Sequence, residues 1–393
     1  MRFEARIAAA IEVLDLIGGG VAAEKALTNW GRTHRFAGSG DRRAIRDLVF
    51  DALRQRASLA ALGGGTTGRA LMIGALRQVQ ADDLSKVFSG EGHAPPPLTA
   101  EEAAFEPAPR ETLPRHVRLD YPEWLEPELT RSLGVTLNAV MERMRTRAPV
   151  FLRVNTGKGT REEAQAALAR DEIETAPHEL AETALLVTHN QRKLRQSQAF
   201  LGGLVELQDA ASQAVVQYLG VPGPGVRVLD YCAGGGGKAL ALAVGGADIV
   251  AHDADPGRMS DLPARAARAG VTIARAETAA LDGAARFDLV LADAPCSGSG
   301  AWRRQPAAKW ELSQARLDAV LAVQAEILDQ AARLVAPDGR LAYATCSLLR
   351  CENADQIEAF RTRHPEWTLI GERQFTPLDG GDGFYIAQLT RVS

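Results

Sequence analysis

Two cysteines, Cys296 and Cys346, lie where a thiol could take part in covalent catalysis. Cys296 occurs in DAPCSGSG directly after the apolar stretch FDLVLAD, and Cys346 occurs in ATCS after the apolar stretch RLAYA. The thiolate is the reactive form of cysteine, and loops that follow strands and carry small residues leave it accessible. The pattern therefore predicts two accessible thiols at strand ends, where a thiolate could act as a nucleophile.

A candidate cofactor site precedes both cysteines along the chain. Residues 228–238, VLDYCAGGGGK, predict a strand, a glycine-rich turn and the start of a helix, a combination that lets backbone amides approach a ligand. Asp253 ends the next predicted strand, at a spacing suited to binding ribose hydroxyls, and Glu277 and Asp293 end the following two. An adenosine-containing cofactor is expected. The turn lacks the GxGxxG spacing of dinucleotide sites, and the chain has no GxxxxGK[ST] motif.

These motifs belong to a predicted α/β domain over residues 208–393. Five apolar stretches, VRVLDYC, ADIVAHD, VTIARA, FDLVLAD and RLAYATCS, alternate with helical segments such as SQARLDAVLAVQAEILDQAARLV. Alternation of this kind favours a doubly wound parallel sheet, in which ligands bind at the carboxyl ends of the strands. Both cysteines and the glycine-rich turn are expected at that one edge.

Three regions precede this domain. Residues 1–87 carry apolar residues at helical spacing, which predicts an all-α bundle, and residues 88–119 are rich in Pro, Ala and Glu, which predicts a linker. Residues 120–207 predict a small α/β domain with strands in VFLRVNT and ETALLVTH. A capping box of Thr160 and Glu163 marks the start of its helix.

Composition narrows the class of protein. The chain has 393 residues, a net charge of −4 and four cysteines without a CxxC pair, so several domains and no disulfide framework are expected. An acidic total means that any surface for nucleic acid must be local. The N-terminal segment predicts an amphipathic helix, not a targeting signal, and no long uncharged apolar run occurs. A cytoplasmic protein without membrane association is expected.

The cofactor loop and the cysteine motifs occur in the order YCAGGGGK, DAPCSGSG and YATCS, and ENADQIEAF follows. This set resembles the RsmB/NSUN family of RNA cytosine-5 methyltransferases, as do FLRVNTGKGTREE, LQDAASQ, RRQPAAKW and the terminal DGFYIAQL, over roughly residues 120–390. The helical region, with RFAGSGDRRAIRDLVFDALR, resembles the NusB-like module of bacterial RsmB proteins. The resemblance implies three parts: an all-α NusB-like bundle, a small α/β RRM-like unit and a Rossmann-like class I methyltransferase domain.

The resemblance also implies a reaction, methylation of cytosine carbon 5 by S-adenosylmethionine. Carbon 5 is weakly nucleophilic, so a thiolate first adds to carbon 6, and covalent catalysis divides the reaction into easier steps. Cys346 would be the nucleophile, Cys296 would assist product release and Asp293 would hydrogen-bond the cytosine edge. The implied cofactor-binding residues are Cys232, Ala233, Gly234, Gly235, Gly236, Gly237, Lys238, Asp253, Glu277 and Asp293. No metal ligands are implied.

Some positions depart from the family pattern. Gly235 stands where proline is usual, Gly234 stands for an alanine, and Glu277 replaces the more usual aspartate. Ala307 lies where aspartate is common. Extra glycines cost loop order, so weaker cofactor binding is one expectation, but none of these changes removes a catalytic atom.

Four basic clusters could contact RNA phosphates, and two tryptophans flank the last of them. The candidates are Arg32, Arg35, Arg42, Arg43 and Arg46; Arg143, Arg145 and Arg147; Arg192, Lys193 and Arg195; and Arg303, Arg304 and Lys309 with Trp302 and Trp310. Ribosomal RNA of the small subunit is the expected partner and a monomer the expected state, with transfer RNA as an alternative. A DNA methyltransferase, a non-catalytic RNA-binding or assembly factor and a small-molecule methyltransferase are the competing interpretations.

Overall fold

The structure, a computed structural model, describes residues 1–80, 83–281 and 286–392. The chain divides into two compact units. The first comprises Met1–Arg147 and Trp302–Glu311, and the second comprises Ala148–Ala301 and Leu312–Ser393. The first is helical and the second is α/β, as the spacing of apolar residues predicted.

Helices α1 to α10 and α17 build the first unit. They are α1 (Phe3–Gly18), α2 (Ala23–Thr33), α3 (Ser39–Arg54), α4 (Arg56–Gly63), α5 (Gly68–Gln78), α6 (Leu84–Val87), α7 (Ala100–Ala104), α8 (Arg115–Arg118), α9 (Glu126–Leu133), α10 (Leu137–Met144) and α17 (Pro306–Glu311). The core is formed by apolar residues at helical spacing, among them Ile7 and Val13 of α1, Ile45 and Val49 of α3, and Ile73 of α5. Burial of these stripes orders helices that would be marginal alone.

Residues 88–119 differ from the expected linker. Phe88 is buried in the helical core, and Arg69 of α5 pairs with Glu102 of α7 at 2.7 Å. Thr99 and Glu102 also form a capping box at the start of α7. Proline-rich composition predicted an extended tether, but an ion pair and one buried aromatic ring attach the segment to the bundle.

Residues 120–147, which follow the predicted boundary at residue 120, pack with the helices of the first unit. Asp120 is fully buried, and its carboxylate accepts hydrogen bonds from the amide and hydroxyl of Ser58 at 2.8 Å each. Arg145 donates to the same carboxylate at 2.8 Å. These contacts join residues that are far apart in sequence, so no local sequence pattern predicted them.

The segment Trp302–Glu311 lies in the helical unit although its neighbours in sequence belong to the other. Trp302, Arg303 and Lys309 are each at most 2% exposed, Lys309 Nζ donates to the Arg54 carbonyl at 3.0 Å, and Trp310 Nε1 donates to the Leu53 carbonyl at 2.6 Å. Burial lowers the pKa of Lys309 to about 8. The prediction that this cluster contacts RNA is therefore wrong for Arg303 and Lys309, which are buried, and stacking on a base is excluded for Trp302.

The second unit begins with a four-stranded antiparallel sheet. Its elements are β1 (Phe151–Val154), α11 (Arg161–Arg170), β2 (Glu174–Pro177), β3 (Ala184–His189), α12 (Gln198–Leu201) and β4 (Val205–Leu207). The order β2-β3-β1-β4 and the succession βαββαβ are those of a ferredoxin-like fold. Thr160 and Glu163 form the predicted capping box, with Glu163 Oε2 accepting from the Thr160 amide at 2.8 Å.

A seven-stranded sheet forms the rest of the second unit. Its elements are α13 (Ala210–Leu219), β5 (Arg227–Asp230), α14 (Gly237–Leu242), β6 (Asp248–His252), α15 (Leu262–Ala269), β7 (Ile273–Ala276), α16 (Thr278–Leu281), β8 (Phe287–Asp293), α18 (Gln314–Arg333), β9 (Val335–Thr345), α19 (Ala354–Arg363), β10 (Trp367–Phe375) and β11 (Phe384–Arg391). The strand order is β10-β11-β9-β8-β5-β6-β7. Strands β5 to β9 run parallel in a Rossmann-like arrangement, but β11 pairs antiparallel with β9 and β10 antiparallel with β11. The expectation of an entirely parallel sheet is corrected at this edge, because β10 and β11 form an antiparallel pair that adds to it.

Alternate residues of the central strands face different helices. Val228, Leu289 and Ala342 pack on the side of α13 and α14, whereas Leu229 and Val290 pack on the side of α18 and α19. Burial on both faces explains why these strands are continuous apolar runs. In the described ranges no helix is long and apolar enough to cross a membrane.

The buried Asp120 carboxylate predicts a large effect on stability. Asp120→Ala should lower the free energy of unfolding of the helical unit by about 3–5 kcal/mol, because Arg145 would lose its buried partner. Asp47→Ala is the matched control: Asp47 pairs with Arg147 on the surface, and its loss should cost less than about 1 kcal/mol. Urea titration followed by tryptophan fluorescence measures both, since Trp30, Trp124, Trp302 and Trp310 all lie in this unit. Equal effects would contradict the expectation.

Candidate active site

Five adjacent parallel strands carry the candidate residues at their carboxyl ends. Along the sheet, β9 is followed by Cys346, β8 ends at Asp293 and leads to Cys296, and β5 leads into the glycine-rich turn. The next two strands, β6 and β7, lead to Asp253 and Glu277. The structure thus brings the sequence-predicted residues to one edge of one sheet, as expected for a doubly wound fold.

The two thiols are adjacent. Cys296 Sγ lies 3.3 Å from Cys346 Sγ, and both side chains are partly buried. The hydrogen bond between the thiols, followed by burial, raises the pKa of Cys296 well above its ordinary value. Either thiol can donate the hydrogen bond between them.

Cys232 in the glycine-rich turn is a different kind of thiol. Burial and the charge of Asp230 raise its pKa, so it stays protonated and unreactive. Its backbone belongs to the turn, as the sequence predicted.

The glycine-rich turn needs its glycines for two physical reasons. Gly234 and Gly236 have φ of +51° and +75°, the left-handed region that glycine favours. A Cβ on Gly236 would also lie 2.2 Å from Leu262 Cδ1. Gly235 has no such requirement, since a Cβ there would meet only the mobile end of Arg265 at 2.9 Å.

Two contacts hold this turn from outside it. Arg153 of β1 donates to the Gly237 carbonyl at 2.7 Å, and the Gly234 amide donates to Asp253 Oδ2 at 2.9 Å. Asp253 is buried and also pairs with Arg258 Nη1 at 3.2 Å. Glu277 is exposed after β7, and it does not contact the turn in the described residues. The structure therefore groups Asp253, but not Glu277, with the glycines.

Charged side chains lie at the carboxyl end of β5. Lys238 Nζ lies 2.5 Å from Asp293 Oδ2 and 4.5 Å from the centre of the Phe384 ring. Burial, and next the charge of Asp293, raise the pKa of Asp230 to about 7. Asp293 pairs with Lys238 and Asp253 pairs with Arg258, so the charges at this edge of the sheet are largely balanced.

Comparison with known proteins identifies the family. The family model described as "16S rRNA methyltransferase RsmB/F" matches residues 218–390, and "Methyltr_RsmF/B-like, ferredoxin-like domain" matches residues 121–192. The ribosomal RNA small subunit methyltransferase B of Enterobacter is 33% identical over 292 residues, covering 70% of this chain and 67% of that protein. The chain belongs to the RsmB/F methyltransferase family.

Other RsmB/F relatives agree. The protein of the same name from Vibrio cholerae is 36% identical over 293 residues, which cover 70% of this chain and 66% of that protein. The chain thus matches about two thirds of the length of these relatives. The solved structure of PH0851 superimposes with a TM-score of 0.78 at 25% identity, covering 100% of this chain and 99% of that chain. NSun6 from Pyrococcus horikoshii with SFG shares the fold, at 18% identity with a TM-score of 0.61, over 69% of this chain and 98% of that chain.

S-adenosylmethionine is the cofactor of this RsmB/F chain. The residues present fit it. The glycines of the turn over Gly234–Gly237 let the backbone approach a ligand, and Asp253 provides a buried carboxylate for hydroxyl groups. When bound, the cofactor supplies an electrophilic methyl group.

Sequence reasoning missed the groups behind the cysteines. Glu352 is fully buried, and its carboxylate contacts Ser297 and Ser347, the residue that follows each cysteine. A signal was present: the dipeptide Cys-Ser occurs at both sites, and Glu352 lies in the ENADQIEAF motif. Only the folded chain shows that these features meet.

The side chains of the remaining basic clusters differ in their exposure and in whether they form ion pairs. Arg145 is largely buried against Asp120, Arg147 pairs with Asp47 and Lys193 pairs with Glu172. In the first cluster Arg46 pairs with Glu24, but Arg32, Arg35 and Arg42 are exposed and form no ion pair within the described residues. The first cluster therefore keeps the most available charge.

The glycine geometry yields a prediction for cofactor binding. Gly236→Ala should weaken S-adenosylmethionine binding by about tenfold or more, because its Cβ would collide with Leu262 and its φ is unfavourable for alanine. Gly223→Ala is the control, since a Cβ there has nothing within 4 Å. Isothermal titration calorimetry measures both affinities. An unchanged affinity in Gly236→Ala would contradict the assignment of this turn.

Proposed function

We propose that the protein methylates carbon 5 of a cytosine in RNA through a covalent adduct between Cys346 and carbon 6 of the base. The observation that supports this most directly is the pair of thiols, whose sulfur atoms lie 3.3 Å apart. They follow the neighbouring strands β8 and β9, and β8 lies beside β5, which leads into the glycine-rich turn. A single nucleophilic cysteine would need no second thiol in contact with it. Two thiols suit a reaction with an attack step and a separate release step.

The bond changes balance as follows. The Cys346 thiolate adds to carbon 6, and the electron pair of the 5,6 double bond then forms the bond from carbon 5 to the methyl group, with S-adenosylhomocysteine as the leaving product. A base removes the proton from carbon 5, the double bond forms again, and the bond between carbon 6 and sulfur breaks to return the thiolate. Cys296, whose Sγ lies 3.3 Å from Cys346 Sγ, is placed to assist this release step.

Asp293 and Lys238 are proposed to hold the base and the cofactor. Asp293 is partly exposed at the end of β8, so its carboxylate can accept a hydrogen bond from the cytosine edge. Lys238 contacts Asp293 at 2.5 Å and keeps this carboxylate oriented. Cys232 to Gly237, Asp253 and Glu277 complete the proposed cofactor-binding set, with Glu277 the member that has no contact to the turn.

The proposed substrate is small-subunit ribosomal RNA, as the names of the relatives state for those proteins. The helical unit is proposed to be a NusB-like RNA-binding module and the ferredoxin-like sheet an RRM-like one. A cytosine within a helix would have to be flipped out of its stack. Transfer RNA is the alternative that the same chemistry allows, and bisulfite sequencing of RNA from cells lacking the protein distinguishes the two.

Trapping experiments test the covalent mechanism. Cys346→Ala should abolish methyl transfer, because no other thiol can attack carbon 6. Cys296→Ala should accumulate a covalent protein–RNA adduct, because release of Cys346 becomes slow. Denaturing gels with labelled RNA and S-adenosylmethionine detect the adduct, and bisulfite sequencing detects the product.

The two variants control for each other. An adduct that accumulates in Cys346→Ala instead would exchange the two roles and would agree with the order used by DNA cytosine-5 methyltransferases. Wild-type turnover in Cys346→Ala would refute the covalent mechanism for this chain.

The exposed arginines predict salt-dependent RNA binding by the helical unit. Arg35 and Arg42 flank Phe36, which is 69% exposed in the turn between α2 and α3 and could stack on a base. Arg35→Gln with Arg42→Gln should weaken RNA binding several-fold and should lower the slope of log affinity against log salt by about 2, because two phosphate contacts are removed. Filter binding across salt concentrations measures this. Arg110→Gln, whose arginine already pairs with Glu142, is the control, and an equal effect there would argue against the surface.

A further inference from the structure

Glu352 carries a buried carboxylate that the proposed chemistry does not use. The side chain is fully buried, and among the described residues no lysine or arginine pairs with it. An isolated buried carboxylate is costly unless several donors satisfy it. Here Oε1 accepts from the Ser297 amide at 2.7 Å and from Gln324 Nε2 at 3.1 Å, and Oε2 accepts from the hydroxyls of Ser297 and Ser347.

The donors come from three segments: the loop after β8, the loop after β9 and helix α18. Ser297 follows Cys296 in the loop after β8, and Ser347 follows Cys346 in the loop after β9. Gln324 belongs to α18 and also donates to the Pro295 carbonyl at 2.9 Å, directly before Cys296. One carboxylate thus links the residue after each cysteine, and one amide links it to the residue before Cys296.

We propose that Glu352 is a positioning residue that holds the two cysteine loops together, so that the thiols stay in contact through attack and release. The inference rests on the proposed function, because the contact between the thiols matters only if both take part. Hydrogen bonds to an ionised acceptor are stronger than neutral ones, which is why a carboxylate serves here better than an amide.

The two loops depend on Glu352 unequally. The loop of Cys346 has other restraints: Asn353 Nδ2 and Gln374 Nε2 both donate to the Ser347 carbonyl, at 3.0 and 3.1 Å. Glu352 itself accepts two hydrogen bonds from Ser297, from its amide and its hydroxyl, but only one from Ser347, from its hydroxyl. Loss of the carboxylate should therefore displace Cys296 more than Cys346, and the release step should suffer more than the attack.

Glu352→Ala in the full chain tests this. The turnover number should fall by about tenfold or more while the KM values for RNA and S-adenosylmethionine change by less than about twofold, since the Glu352 side chain is fully buried. A covalent adduct that depends on Cys346 should accumulate, as in Cys296→Ala. Glu352→Gln keeps one acceptor oxygen for the Ser297 amide, so it should restore part of the turnover relative to Glu352→Ala. A residue needed only for folding would not give this graded recovery of turnover.

Two further variants keep the test decisive. Ser297→Ala removes one donor and leaves the carboxylate buried and bonded, so it should fold and still accumulate adduct, although less of it. Glu358→Gln changes a glutamate of the same region that pairs with Arg350 on the surface, and it should behave as the wild type.

The outcomes separate the two ideas. If Cys296→Ala accumulates no more covalent adduct than the wild-type protein does, the proposed function fails. If Cys296→Ala does form it, and Glu352→Gln and Ser297→Ala show wild-type turnover without adduct, the positioning role is wrong while the proposed function stands.

Discussion

Parallel strand register is the constraint on which the rest of this structure depends. The pairing of Asp293 with Ala344, and of Asp230 with both Leu291 and Ala251, aligns the carboxyl ends of β9, β8, β5 and β6 to within about three residues. Every strand then delivers its following loop to the same edge. A slip of one residue would turn each strand's apolar side chains to the opposite layer of helices, so burial on both faces keeps this register.

Two buried carboxylates each join segments that are distant in sequence. In the helical unit the carboxylate of Asp120 joins Ser58 to Arg145, and in the α/β unit the carboxylate of Glu352 joins Ser297 to Ser347. Desolvation makes each such group costly unless every oxygen is bonded, and the same cost makes the bonded arrangement specific. The acidic whole-chain charge therefore says little about the site, where individual contacts decide.

Sequence reasoning reached the α/β domain and the edge where the cysteines meet, because apolar stretches and glycine-rich turns are local signals. It did not predict the antiparallel β10 and β11, whose pairing with β9 depends on contacts distant in sequence. It also assigned Arg303 and Lys309 to an RNA surface. Charge is visible in a sequence but burial is not, and these two side chains pack among the helices.

By itself the sequence determined which strands the candidate residues follow: Cys296 and Cys346 come after two apolar stretches, and the glycines after a third. That is possible because the direction of a strand and the limited set of allowed turn conformations are local properties of the chain. Only the tertiary structure decided that the two thiols are in contact, that Lys238 faces Asp293 and that Glu352 lies behind both cysteines. These relations depend on strand order and side-chain packing, which join residues that no local pattern connects.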